Sequence, residues 1–150
     1  MEVKPMTPEE FSIFVEKSII SYANEKTRSG NWTEEEALDR AKEDYRRFLP
    51  QDEKTKNNYL YSLYNGNGWI GSFWIAVMPN HTGYIYNIEI EEQFRGQGYG
   101  KSAMKEIEIK AKELGLNKIE LHVFAHNTTA RRLYEKIGYE VTNVIMAKSI

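Results

Sequence analysis

Gln93-Phe94-Arg95-Gly96-Gln97-Gly98-Tyr99-Gly100-Lys101-Ser102 is the stretch on which the reading of this chain turns. Before it, Tyr84 to Ile90 has the aromatic and β-branched residues of a strand. After it, Met104, Ile107, Ala111 and Leu114 recur at helical spacing, with Gly115 placed to end the helix. The stretch is therefore a strand-to-helix turn rich in glycine. Glycine tolerates positive φ and lets backbone approach a ligand closely. Successive N–H groups at a helix start, aided by the helix dipole, favour an anion. Arg95 and Lys101 add positive charge. The expected ligand carries a phosphate or pyrophosphate.

Three ligand-binding patterns compete for this turn. A phosphate loop of the form G-x-x-x-x-G-K-[ST] finds its end in Gly100-Lys101-Ser102, but Arg95 stands where its first glycine belongs. A dinucleotide fingerprint G-x-G-x-x-G fits Gly96 and Gly98, but Lys101 stands at its last glycine. The acetyl-CoA loop [QR]-x-x-G-x-[GA] fits in two frames, Gln93 with Gly96 and Gly98, and Arg95 with Gly98 and Gly100. A glycine turn that binds nothing is the remaining alternative.

The flanking chain supplies the architecture. Glu2 to Met6, with Pro5, suits an edge position. Thr7, Pro8 and Glu10 make a capping box, followed by Phe11, Val15, Ile19 and Tyr22 at helical spacing. Ser29-Gly30-Asn31 breaks that helix. Thr33 with Glu36 starts a second, whose apolar face is Ala37, Ala41, Tyr45 and Phe48 and which Pro50 closes. The period then changes. Tyr59 to Tyr64, Trp69 to Met78 and Tyr84 to Ile90 read as strands, joined by Asn65-Gly66-Asn67-Gly68 and by Pro79 to Gly83. They imply an antiparallel meander. Lys118 to Val123 is a further strand, and Asn127 caps a helix with Ala130, Leu133, Tyr134 and Ile137 on one face, ended by Gly138. Strand, helix and strand between Tyr84 and Val123 imply one parallel crossover in an α/β, mixed and mostly antiparallel fold. Residues 1–150 read as a single domain.

Composition narrows the function. The net charge is −2, and there is no long basic run, so a nucleic-acid partner is not expected. No cysteine is present, which excludes a disulfide framework, a thiolate metal site and an acetyl-cysteine intermediate. No apolar stretch approaches the length of a membrane span, and the first residues lack a signal-peptide core; a cytoplasmic location is the default.

A second stretch, Leu121 to Tyr139, resembles the GNAT superfamily of acetyl-CoA-dependent N-acetyltransferases. Its pattern, a strand followed by N-x-x-A-x-x-L-Y-x-x-x-G-[FY], is filled by Asn127, Ala130, Leu133, Tyr134, Gly138 and Tyr139. With the glycine turn, two motifs stand in family order and spacing over roughly the last 60 residues. The resemblance implies that the strand ending at Ile90 and the strand before Asn127 run parallel and splay apart. Acetyl-CoA would enter that gap. Backbone groups of Ile88, Glu89 and Ile90 would bind the pantetheine and acetyl group. Arg95, Gly96, Gln97, Gly98, Tyr99, Gly100 and Lys101 would wrap the pyrophosphate. Asn127 would contact the CoA arm, and Tyr134 would sit near the sulfur as general acid.

The chemistry needs a base, because an alkyl amine is mostly protonated at neutral pH. His122 and Glu89 are the two candidates, with Asn87 on the same face as Glu89 to orient the acceptor. His122 and His126 lack further ligands, so no metal is expected. Trp32, in the loop Arg28 to Thr33, is placed to cover an acceptor. The acceptor is an amine, either a small molecule (a polyamine, an aminoglycoside-like amine, an amino acid) or a protein N-terminus. The alternative function is a catalytically silent CoA-binding regulatory module. Finally, many relatives follow the glycine and aromatic with two strands. Here Val144 to Ser149 is expected to form one closing strand, leaving the acceptor side open to a bulky amine or to closure by a second subunit in a homodimer.

Overall fold

The helix caps form as their side chains dictate in the computed structural model, which describes residues 1–150. After the edge strand β1 (Glu2–Pro5), Thr7 starts α1 (Pro8–Arg28). Its hydroxyl accepts the Glu10 N–H at 3.2 Å, and the Glu10 carboxylate accepts the Thr7 N–H at 2.9 Å. Before α2 (Glu34–Phe48), the Glu36 carboxylate likewise accepts the Thr33 N–H at 3.2 Å.

The meander follows as β2 (Asn58–Asn65), β3 (Gly68–Met78) and β4 (Thr82–Ile90), then α3 (Tyr99–Glu113), β5 (Lys118–Leu121) and α4 (Thr128–Lys136). The sheet order is β1-β2-β3-β4-β5. The first three pairings are antiparallel, and β4–β5 is parallel.

Every side chain from Ile70 to Ala76 in β3 is buried, as expected of a strand covered on both faces. On one face, Phe73, Ile75, Ile85 and Ile90 pack with Ala103, Met104, Ile107 and Ala111 of α3. On the other, Leu60 and Trp74 pack with Phe11 and Phe14 of α1 and Tyr45 of α2. Trp74 donates its indole N–H to Asn58 Oδ1 at 2.8 Å. The molecule is thus a mixed sheet between two helical layers, α1 and α2 on one side, α3 and α4 on the other. No helix is long and apolar enough to cross a membrane.

Two sequence-based expectations need correction. β5 stops at Leu121 rather than Val123, because β4 bends away beyond that point and offers no further partner. Val144 to Ser149 forms no strand. Gly138, at φ +106°, turns the chain out of α4, and residues 140–150 then run exposed, with no backbone hydrogen bond to any strand.

Candidate active site

Strand β4 is held differently on its two edges. It pairs with β3 along its whole length, but with β5 only from Thr82↔Lys118 to Ile85↔Leu121. The register with β3 slips at this same place. Trp74 faces Asn87 and Ile75 faces Ile85, which leaves Tyr86 as the extra residue of a bulge. From Tyr86 to Ile90 the edge turned away from β3 therefore has no strand partner. Its backbone N–H and C=O groups are available to a ligand that pairs like a strand. This is the splay expected from the sequence.

The free stretch leads straight into the glycine turn. Gly96 and Gly98 have φ of +73° and +84°, and a Cβ built on either would meet nothing within 4 Å. The turn is an open cradle. Gly98 is the N-cap of α3 and offers no capping side chain. The first helical bond runs from the Ser102 N–H to the Gly98 carbonyl at 3.1 Å. The N–H groups of Tyr99, Gly100 and Lys101 precede it and have no helical acceptor, the usual condition for an anion site.

Side chains around the turn are less uniform than the sequence suggests. Arg95 folds back, donating its Nε–H to the Ile90 carbonyl at 2.8 Å and lying 3.7 Å from the Glu89 carboxylate. It therefore occupies one carbonyl of the free strand and braces the strand-to-turn corner. Gln97 donates to the Gln93 carbonyl at 3.2 Å. The Tyr99 hydroxyl accepts from Asn65 at 3.1 Å, so its ring anchors the turn to the β2–β3 hairpin while its N–H stays in the cradle. Lys101 is exposed.

The candidate acid and bases fall on opposite sides of the sheet. Tyr134 packs with the α3 layer, and its neighbour Leu133 lies 3.5 Å from where a Gly100 Cβ would be. This sets α4 against the cradle. Burial alone raises the Tyr134 pKa above that of an ordinary phenol. Glu89 and Asn87 pair with Ser72 and Trp74 of β3, on the α1/α2 side. The Asn87 Oδ1 is buried without a hydrogen-bond partner. His122 follows Leu121, whose side chain belongs to the α3 layer, and faces the other way, beside Phe124 at 4.7 Å between ring centres. Crowding by its neighbours, and then the Lys26 charge from α1, hold its pKa below the ordinary imidazole value.

Asn127 caps α4, accepting the Ala130 N–H at 3.3 Å, so its side-chain oxygen serves the helix first. His126 does not join His122. It lies 2.5 Å from Glu25 of α1, with the Phe124 ring between the two imidazoles. No three His, Asp or Glu side chains gather where an ion would be held. Trp32 packs against Tyr22 with ring centres 5.4 Å apart, and Lys26 and Arg40 lie over its ring at the junction of α1 and α2. A groove of about 440 Å³ lies between those helices near Ala23 and Leu38 and contains none of the acid–base candidates.

Two contributors were not read from the sequence. Gly71 lets β3 approach β4 at Glu89, and an isolated glycine within a strand pattern was the available signal. Glu25, the partner of His126, is separated from it by 101 residues and carried no local signal.

A five-stranded mixed sheet with one short parallel pair leading into a glycine turn is the fold of an acetyltransferase family. The acetyltransferase (GNAT) family matches residues 21–139, and the chain belongs to that family. It is similar to the uncharacterized N-acetyltransferases YdgE and YycN of Bacillus subtilis (strain 168). YdgE is 36% identical over 99% of this chain and 97% of its own length, and YycN is 37% identical over 97% and 96%. The crystal structure of YycN superposes with a TM-score of 0.95 over 99% of this chain and 98% of that one.

Proposed function

We propose that the chain transfers the acetyl group of acetyl-CoA to a primary amine by direct attack, with both substrates bound at once. The observation that carries this reading is the free edge of Tyr86–Ile90 running into the uncapped N-terminus of α3. Acetyl-CoA supplies an activated thioester. The Ile88 N–H and C=O and the Ile90 N–H, on the edge turned away from β3, hold its amide-bearing arm as an added strand, while the Glu89 carbonyl faces β3 at Gly71 and the Ile90 carbonyl is held by Arg95. The N–H groups of Tyr99, Gly100 and Lys101 receive the pyrophosphate in the cradle opened by Gly96 and Gly98.

The amine enters from the α1/α2 side. There Asn87 offers an unpartnered carbonyl oxygen; the ammonium first loses one proton to solvent, and His122 or Glu89 takes the second as the nitrogen attacks. As the C–N bond forms, a backbone N–H at the free edge stabilises the charge growing on the carbonyl oxygen. As the C–S bond breaks, Tyr134 gives its proton to the departing sulfur from the opposite side, and regains one from solvent. Burial keeps Tyr134 protonated, which suits an acid. Separate faces keep the acid from simply exchanging its proton with the base.

The experiment is an amine panel of polyamines, aminoglycosides, amino acids and peptide N-termini, followed by release of CoA thiol, with acetyl-CoA and ATP titrated in parallel. Turnover with an amine supports the reading. Acetyl-CoA binding with no turnover across the panel would favour a silent CoA-binding regulatory module instead, and binding of ATP alone would overturn both.

A further inference from the structure

One half-buried charge in this chain has no counter-ion. Of the 20 Lys and Arg residues, only Lys26 and Lys110 are half-buried, and the others are exposed. Lys110 lies 3.1 Å from the Glu113 carboxylate. Lys26 has no carboxylate within ion-pair distance. The charges around it are engaged elsewhere. Glu25 contacts His126 at 2.5 Å, and Glu120 of β5 contacts Lys118 at 3.1 Å. Arg40, the other cation over Trp32, is paired with Glu36 at 3.2 Å. The dipole of α1 favours a basic residue in its last turn, but it offers Lys26 only a partial charge.

Two rings hold this lysine in place. Its Nζ lies 5.6 Å from the centre of the Tyr22 ring and 5.4 Å from that of Trp32, both within cation–π range. Tyr22 is itself fixed, its ring 5.8 Å from that of Tyr45 and its hydroxyl donating to Asp44 at 3.1 Å. Opposite stands the loop after β5. The contact of His126 with Glu25 draws that loop to α1, and the charge of the next α1 residue, Lys26, bears on His122. His122 borders the gap between β4 and β5. Continued one step past Ile85↔Leu121, the strand register puts His122 level with Tyr86, one residue (~3.3 Å) short of Asn87. The unpartnered Asn87 Oδ1 and the unpaired Lys26 ammonium are thus both neighbours of the His122 corner. The first accepts an N–H, and the second suits an anion.

We propose, resting on the acetyl-transfer reading above, that Lys26 receives a carboxylate of the acceptor, and that the acceptor is an amino carboxylate: an amino acid or a short homologue whose amine and carboxylate stand a few bonds apart. The carboxylate supplies the counter-ion that Lys26 lacks, through a charge-assisted hydrogen bond. The amine donates to Asn87 Oδ1 beside the free edge of β4. With both ends fixed, the nitrogen is aimed at the thioester rather than left to rotate. An amine without an anion leaves Lys26 half-buried and unpaired, and a polyamine sets positive charge against it. Such amines are used less well, so Lys26 selects by repulsion as well as by attraction. Trp32, expected from the sequence to cover the acceptor, acts instead through Lys26, as one of the two rings that hold it.

The test compares a panel of α-amino acids, with β-alanine and 4-aminobutanoate, each against the amine left by removing its carboxylate. In the intact protein the best amino carboxylate should exceed its matched amine in kcat/KM by about 10-fold or more, the lower end of a charged hydrogen bond. Lys26→Met should bring that ratio close to one, mainly through KM for the acceptor, and Lys26→Arg should keep most of it. A second readout needs no turnover. Sodium propanoate should shift the His122 ring resonances in the NMR spectrum of the intact protein but not of Lys26→Met, and propylammonium chloride at equal ionic strength should shift them in neither. Equal use of the matched pairs, a preference that survives Lys26→Met, or resonances indifferent to propanoate would each overturn the proposal. If no amine is turned over and propanoate still shifts His122 through Lys26, the transferase reading fails and the carboxylate site stands.

Discussion

Gly71 and Glu89 meet so closely that a Cβ on Gly71 would lie 2.2 Å from the Glu89 carbonyl oxygen. At this level β4 has parted from β5 and is held by β3 alone. Gly71→Ala must push β4 toward the gap. The expected cost is about 1–3 kcal/mol of stability, as for other overpacked sites, together with weaker acetyl-CoA binding. Denaturant unfolding and calorimetry measure the two effects. Unchanged values in both would mean that β4 shifts freely and that the close approach has no positioning role.

Gly98→Val tests the cradle. A Cβ at Gly98 points into open space, where the pyrophosphate is expected, and φ +84° strains any side-chain-bearing residue. The strain itself costs about 1–3 kcal/mol. Gly30→Val is the matched control, since Gly30 has φ +81° and equally open space but lies at the end of α1. Both variants should lose stability, and only Gly98→Val should lose acetyl-CoA affinity. Equal affinity in the two would reduce the cradle to a turn.

Tyr134→Phe keeps the ring and removes the proton. A fall in kcat of about 10²-fold is expected, with acetyl-CoA affinity retained. Because burial raises the Tyr134 pKa, any falling limb assigned to it should be centred above the ordinary phenol value. A normal kcat in the variant, with chemistry rate-limiting, would remove Tyr134 from the reaction.

The two candidate bases separate by pH. If His122 accepts the proton, activity rises with pH through an inflection below the usual imidazole value, because crowding and Lys26 disfavour its charged form. Lys26→Met should then move that inflection upward, and His122→Gln should abolish it. If Glu89→Gln abolishes it and His122→Gln does not, the strand carboxylate is the base.

What could be read in advance follows the range of the forces involved. Thr7 with Glu10 and Asn65 with Asn67 act over a few residues, so both caps and the hairpin were legible. The glycine turn between β4 and α3, and the place of Tyr134 on the inner face of α4, were legible because both stand in short motifs. The bulge at Tyr86 was not, since it depends on how Trp74 and Ile75 seat between two helical layers. Nor was the pairing of His126 with Glu25, or the stacking of Trp32 under two cations. Val144 to Ser149 has the pattern of a strand and forms none here, because pattern states what a segment would accept and says nothing about whether its own chain offers a partner.

Sheet order in this molecule equals chain order, and that governs how it is assembled. The meander β2–β3–β4 closes through two tight turns, which are local and quick to form. β1 must cross two helices to reach Tyr64, and β5 must cross α3 to reach four residues of β4. The parallel contact is both non-local and short, so it forms late and opens early, and φ-values near zero are expected at Ile119 and Leu121. The gap between β4 and β5 thus belongs to the least cooperative part of the molecule, where opening to admit a long, flexible cosubstrate disturbs little of the core.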